Sequence, residues 1–263
     1  MPYTVETETV YPYVDFAAFD AHAFYDRLRD GLLPTTSAIS EAQYRQYFEP
    51  VFAAGDDILY VHFSRAMTAT FDAMDRAVAE LQAEYPERRF FEIDTKGITI
   101  GSLNIVKEVG DQNLAGRTAK EILDWAEAEV DRFAVYFFAD DLRFFHRSGR
   151  VSGLSATMGT MLGIRPIIHM DEHGQMVSIG SVKGRRKAIA RLVDAVAELG
   201  EDIEQHRVIV ADADAPALAD ELVRQLKERF GEHLPIERAV VNPTAGSHCG
   251  PNTVGVSFHA KHR

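Results

Sequence analysis

Residues 140–152 read Asp140-Asp141-Leu142-Arg143-Phe144-Phe145-His146-Arg147-Ser148-Gly149-Arg150-Val151-Ser152, and residues 159–168 read Gly159-Thr160-Met161-Leu162-Gly163-Ile164-Arg165-Pro166-Ile167-Ile168. The first stretch is an amphipathic helix running into a glycine turn flanked by cations. By itself that is a cationic helix C-cap. The second is apolar, with small residues, Met161 within it and Met158 immediately before it. Its plain reading is core packing, although methionine also suits an adaptable lipid tunnel.

Outward from there, short β-rich runs alternate with helical patterns. Strands are expected over Tyr3 to Tyr11, Ile58 to Phe63, Arg89 to Ile93, Ala134 to Phe138, Pro166 to Met170, Gln175 to Lys183, Arg207 to Ala211 and Ile236 to Val241. Apolar positions three or four apart, with charge between them, predict helices over Thr68 to Glu84, Ala119 to Asp131, Arg186 to Leu199 and Pro216 to Phe230. Ser40 before Glu41, and Asp214 before Pro216, are the expected N-caps. The alternation predicts an α/β protein. A charged helix ending near Asp131 and a fresh apolar strand after it put the expected domain change near residue 127, giving domains 1–126 and 127–263. No repeat or low-complexity segment is evident.

With 263 residues, 46% of them hydrophobic, the chain can bury a substantial core. Lysine and arginine number 28 against 40 acidic residues, and the formal charge of −12 opposes the phosphate neutralisation on which nucleic-acid affinity rests. Nucleic acid is not an expected partner. Cys249 is the single cysteine, so no intrachain disulfide can form, and Met1-Pro2-Tyr3-Thr4-Val5-Glu6 lacks the basic and apolar regions of a signal peptide. Both point to a reducing cytoplasm. The longest apolar stretches, such as Phe133 to Ala139, fall far short of the roughly 20 residues of a membrane-spanning helix, so stable membrane insertion is not expected.

Two turns are rich in hydroxyls. Pro34-Thr35-Thr36-Ser37-Ala38-Ile39-Ser40 precedes a helix, where donors can hold an anion or simply cap. Strand Ile58 to Phe63 runs into Ser64-Arg65-Ala66-Met67-Thr68-Ala69-Thr70, which places Ser64, Thr68 and Thr70 at the carboxyl end of a strand, where open α/β sheets bind ligands. The competing reading is a capped strand-to-helix turn. Ser64 or Thr68 as a nucleophile is poorly supported, because no Gly-x-Ser-x-Gly elbow surrounds them and no ordered Ser/Asp/His set is evident. No metal site is expected: Asp212 and Asp214 lack the glycine and distant glutamate of a calcium loop, and the histidines show no zinc spacing. His248 lies in the glycine-rich run Gly246-Ser247-His248-Cys249-Gly250-Pro251, and Lys183-Gly184-Arg185-Arg186-Lys187 reads as a solvated turn and helix start. No nucleotide motif or cofactor signature appears.

In order and spacing, the strand, Asp-Leu-x-Phe-Phe, x-Ser-Gly-Arg-Val, a helix and Leu-Gly-Ile-Arg-Pro-Ile-Ile resemble the signature of the DegV family. Thr36-Ser37 is similar to that family's Thr-Ser turn, Ser64 to Thr70 to its Ser-x-x-x-Ser-Gly-Thr loop, and Gly246 to Pro251 to its late histidine–glycine–proline loop. The resemblance covers nearly the whole chain. It implies a two-domain α/β fold: an N-terminal three-layer domain with a mainly parallel sheet, and a C-terminal α/β domain with a mixed sheet. It also implies a bound long-chain fatty acid as ligand, presented to a separate ATP-dependent fatty acid kinase, with the acyl phosphate held afterwards.

On this resemblance Thr36 and Thr68 bind the carboxylate, supported by Ser37, Ser64, Thr70 and His248. The acyl tail is expected against Met158, Met161, Leu162 and Ile164, and Arg150 and Lys183 serve the kinase or the phosphate. No catalytic residue is implied; the competing expectations are a small acyl hydrolase and a lipid-responsive interaction protein. The sequence departs from the family in Thr68-Ala69-Thr70, where a methyl replaces hydrogen at the glycine position. Met1 to Val5 resembles the family's second strand, so a first strand ending in Asp-Ser-Thr or Asp-Ser-Ser is missing. The expectation is a shortened chain or a start assigned too late.

Overall fold

The structure, a computed structural model, describes residues 1–11, 19–152 and 163–263. The chain begins not with one long strand but with a hairpin, β1 (Tyr3–Val5) and β2 (Glu8–Val10), turning at Glu6, whose φ is 55°. Helix α1 (Ala21–Arg29) starts where the Asp20 side chain accepts from the Ala23 amide. Strand β3 (Thr35–Thr36) then pairs antiparallel with β1, completing a three-stranded sheet. Helix α2 (Glu41–Ala53) is capped as the sequence predicts, with Ser40 and Gln43 bonding reciprocally.

Strand β4 (Ile58–His62) leads through a short 3-10 turn to α3 (Thr70–Glu84) and back to β5 (Phe90–Asp94), which lies parallel to β4. α3 begins at Thr70, later than expected, because the Thr68 hydroxyl accepts from the Thr70 amide and the intervening residues form a turn. Then come α4 (Thr99–Leu114) and α5 (Ala119–Glu129), the latter containing the expected domain boundary, residue 127. Gly101, Gly110, Ser102 and Asn104 dilute the apolar pattern of α4, which is why periodicity missed it.

The rest forms one mixed sheet. It comprises β6 (Phe133–Phe138), then after α6 (Leu142–Ser148) the short β7 (Val151–Ser152), β8 (Ile164–Met170) and β9 (Met176–Lys183). Helix α7 (Arg185–Leu199) leads to β10 (Val208–Asp212), α8 (Pro216–Phe230) to β11 (Ile236–Val240), and α9 (Pro243–Cys249) to β12 (Val254–His259). Strand order is β11-β10-β12-β6-β8-β9-β7, parallel at β10/β11 and β7/β9 and antiparallel elsewhere. One face packs on α7 and α8 through Val208, Val210, Val254, Val256 and Phe258. The other carries Val135, Phe137, Ile209 and Ala211 and meets α1, α4, α6 and α9. A mixed sheet between helix layers is the α/β architecture the sequence predicts.

Two local expectations fail. β12, buried along its whole length in mid-sheet, was not expected, because glycine and serine alternate there with apolar residues. Asp214 does not cap α8: the N-cap position is Ala215, whose amide donates to Asp212 Oδ1 at 2.7 Å, while Asp214 sits at φ 55° and pairs with Arg29 at 2.5 Å. Among the described residues no helix is long and apolar enough to cross a membrane.

Candidate functional site

Between the inner face of the large sheet and the α2, β4 and α4 layer lies a cavity of about 390 Å³, within the range of small-molecule sites. Its walls are mostly apolar: Val135 and Phe137 from β6, Phe145 from α6, Ile98 and Ile100 at the start of α4, and Tyr60 and Phe63 at the end of β4. Polar side chains line it too, among them Thr68, Arg150 and His248.

Each is positioned by its element. His248 lies not in a glycine loop but on α9, whose start is fixed by Pro243 and by Asn242 accepting from the Ala245 amide. Its Nε2 stands 2.9 Å from the Thr36 hydroxyl. Burial pushes the His248 pKa down to about 4, and the positive charges of Arg150 and Arg147 push the same way. The imidazole is therefore neutral at pH 7, with one nitrogen able to donate and the other to accept.

Arg147 supports this arrangement from beneath, donating to the carbonyl oxygens of Leu33 and Pro34 immediately before β3. Gly149 ends α6 in the left-handed conformation, φ 63°, as the sequence predicts for that turn. Arg150 donates back to the Ser148 carbonyl at 2.8 Å while facing the cavity.

The Thr68 turn is held by a charged cluster below it. Arg65 pairs with Glu92 at 2.5 Å and Asp75 at 2.7 Å, and His62 bonds Glu92 at 2.7 Å. Burial works to raise the Glu92 pKa, but the bonds to His62 and Arg65 outweigh it and hold the carboxyl at about 2.

The other expected residues are placed as follows. Ser64 is fully buried and donates to the Gly174 carbonyl at 2.7 Å. Thr70 is buried and bridges the Ile39 amide and carbonyl. Ser37 is exposed beside Thr36, Lys183 is exposed at the end of β9, and Ile164, paired with Lys183, is half-buried outside the cavity lining. Met158, Met161 and Leu162 lie outside the described residues. Sequence reasoning missed Tyr44, Tyr60, Ala211, Cys249 and Gly255, which line the cavity. Each reads as ordinary core, and only tertiary packing turns it toward the void.

Arg263 was also missed. Although charged, it is buried, donating to the carbonyls of Thr95 (2.5 Å), Lys96 (2.9 Å) and Val130 (2.8 Å) and pairing with Asp131 (3.1 Å). It pins the segment in which Lys96 and Thr99 take φ values of 47° and 44° around Ile98 at the cavity wall. Such backbone costs of order 1–3 kcal/mol per residue and persists only where its surroundings fix it.

The chain thus has a mixed α/β sheet flanked by helices, with a mostly apolar, partly open cavity whose lining includes Thr68, Arg150 and His248. The family follows from sequence: the model of a family described as uncharacterised protein, DegV family, matches residues 1–261, and the chain belongs to the DegV family. It is 27% identical over 239 residues to a DegV domain-containing protein of Clostridium perfringens, covering 90% of this chain and 81% of that one. Among solved structures it is similar to a DegV lipid-binding protein from Thermotoga maritima, with a TM-score of 0.83 at 21% identity over 100% of this chain and 90% of that one. A DegV family protein from Eubacterium eligens loaded with heptadecanoic acid gives a TM-score of 0.84 at 20% identity, covering 99% and 92%. DegV from Bacillus subtilis, a fatty acid binding protein, gives 0.80 at 22% identity, covering 99% and 90%.

Proposed function

We propose that this protein is a cytoplasmic carrier that binds one long-chain fatty acid in the cavity. Its carboxylate lies at Thr36, Thr68 and His248, and its tail runs along the sheet face. The observation that carries this is the cavity itself: apolar walls of Val135, Phe137, Phe145 and Ile100, with Thr68, Arg150 and His248 among its polar lining residues. Fatty-acid-binding relatives of the same fold support it.

The energetics divide the roles. Burying about 14 methylenes at ~0.8 kcal/mol each offers roughly 11 kcal/mol before association costs, several times what carboxylate hydrogen bonds supply. The tail sets affinity and the polar cluster sets orientation. Neutral His248 with the Thr36 hydroxyl offers donors to a carboxylate, and Arg150 supplies the neighbouring positive charge.

On the same reading the carboxylate is presented to a separate ATP-dependent kinase. Arg150 and exposed Lys183 engage that partner or the phosphate, and the acyl phosphate is held in the same cavity. Residues 1–126 and 127–263 serve as the two domains that bound it. On this reading Ser64 is a structural residue, its hydroxyl donating to the Gly174 carbonyl and accepting from the Ala66 amide.

Native mass spectrometry of the freshly purified protein, followed by extraction and lipid identification, tests the binding claim. One fatty acid per chain is expected. Absence of lipid, together with no binding on adding hexadecanoic or octadecenoic acid, would refute it. Purified kinase, ATP and acid-loaded protein should yield acyl phosphate only in combination. Acyl ester turnover by the protein alone would favour the hydrolase instead.

A further inference from the structure

The two faces of β10 and β12 are unlike. Toward α7 and α8 they present Val208, Val210, Val254, Val256 and Phe258. Toward the cavity they present Ala211 and Gly255, adjacent in register, with Phe137 of β6 alongside. The small residues Ala211 and Gly255, bounded by Ile209 two positions further along the same face, leave a trough along β12. Its near end is marked by Thr253, which donates to the carbonyl of Cys249, the residue after His248. Its far end is shut two strand positions beyond Gly255. There Asn104 of α4 donates to the Ser257 hydroxyl at 3.3 Å, and a Cβ on Gly101 would stand only 3.0 Å from Val135. From Thr253 to Ser257 the strand covers roughly 13 Å.

Resting on the fatty-acid reading above, we infer that Ala211 and Gly255 set the depth to which the acyl tail descends, and that Val135 against Gly101 is the stop that sets chain length. Gly255 is irreplaceable for a second reason: a Cβ there would come within 2.9 Å of Phe137 Cβ and 3.2 Å of the Tyr136 carbonyl, so any side chain displaces β6. Ala211 has room on its cavity side, and a longer side chain there takes the space of the tail. The consequence is selectivity by length, since a tail too long for the trough leaves methylenes in water or strains the wall, and one too short leaves a void.

The test is competition. Wild-type protein, Ala211→Leu and Val135→Ala are each equilibrated with an equimolar series of saturated acids from dodecanoic to eicosanoic, and the bound species are read by native mass spectrometry, with thermal unfolding as a check on folding. Ala211→Leu should shift the preferred acid to one shorter by about three carbons and weaken the wild-type favourite on the order of tenfold or more. Val135→Ala should shift it to a longer acid. Should Ala211→Leu fail to fold, Val135→Ala decides alone. Folded variants that keep the wild-type length profile overturn the inference while leaving fatty-acid binding intact. A wild type that binds none of the acids removes the fatty-acid reading itself, and the inference with it.

Discussion

At the scale of the residue, His248 shows how far chemistry can be read from sequence and where tertiary structure takes over. Its presence in a binding role was expected, but its lowered pKa comes from burial on α9 and from two arginines distant in sequence. Because its folded pKa of about 4 lies below its ordinary 6.5, folding disfavours the protonated ring. The associated stability is present above pH 6.5 and lost as pH falls toward 4, a loss of up to about 3 kcal/mol. The unfolding temperature of the wild type should therefore drop over that window more than that of His248→Gln; parallel curves would contradict the assignment. Thr36 was legible as a hydroxyl on a turn, but its pairing with His248 was not, since the two meet only through the β1–β3 and α9 contacts. Arg263 was illegible altogether, because nothing local tells a buried guanidinium from a solvated one. Arg263→Ala should cost about 2–4 kcal/mol, seen as a lowered denaturation midpoint, by orphaning the backbone carbonyls of Thr95, Lys96 and Val130. A change under 0.5 kcal/mol, within the usual range of surface substitutions, would show that the segment is held by other contacts.

At the scale of the element, periodicity found α3, α5, α7 and α8 to within a residue or two, because each buries one clear apolar stripe. α4 was missed because glycines let it approach β6 closely, and β12 because its cavity face carries glycine and serine where a strand pattern wants bulk. The hairpin turn at Glu6 was missed because a non-glycine residue occupies the left-handed region without a sequence signal. α9 packs on α1 at Gly246, where a Cβ would stand 2.6 Å from the Tyr25 hydroxyl, itself bonded to the Val241 carbonyl at 2.7 Å. Gly246→Ala should destabilise the protein by about 1–3 kcal/mol and weaken lipid binding through displacement of His248; a neutral outcome in calorimetry would mean that α1 yields freely. Arg147→Ala removes the tie between α6 and the turn before β3. It should weaken fatty-acid affinity several-fold with little effect on unfolding, and isothermal titration distinguishes that from a general loss of stability.

At the scale of the whole molecule, the α/β class and the C-terminal mixed sheet follow from alternating strand and helix signals and from the motif around residues 140–168. The motif itself lies across α6, β7 and β8. The cavity was not legible, because a cavity is a property of what several elements fail to fill: Tyr44 from α2, Phe145 from α6, Ala211 from β10 and Gly255 from β12 are distant in sequence and each looks like ordinary core. A ligand that binds only the folded form adds about 2.7 kcal/mol of stability at a hundredfold excess over its Kd. The unfolding temperature should therefore rise with added octadecenoic acid and stay unchanged with an alkane alcohol too short to fill the trough.

The measurement that bears most directly on the account is lipid binding by the paired variant Thr36→Val and Thr68→Val against wild type, read by native mass spectrometry with unfolding followed in parallel. Valine keeps the volume of threonine and removes the hydroxyl, so the cavity is preserved while the head-group donors are lost. The account predicts one long-chain fatty acid per wild-type chain and, on the folded double variant, an affinity weakened by roughly ten- to a hundredfold, read by titration below saturation. Equal affinity of the two proteins would contradict it.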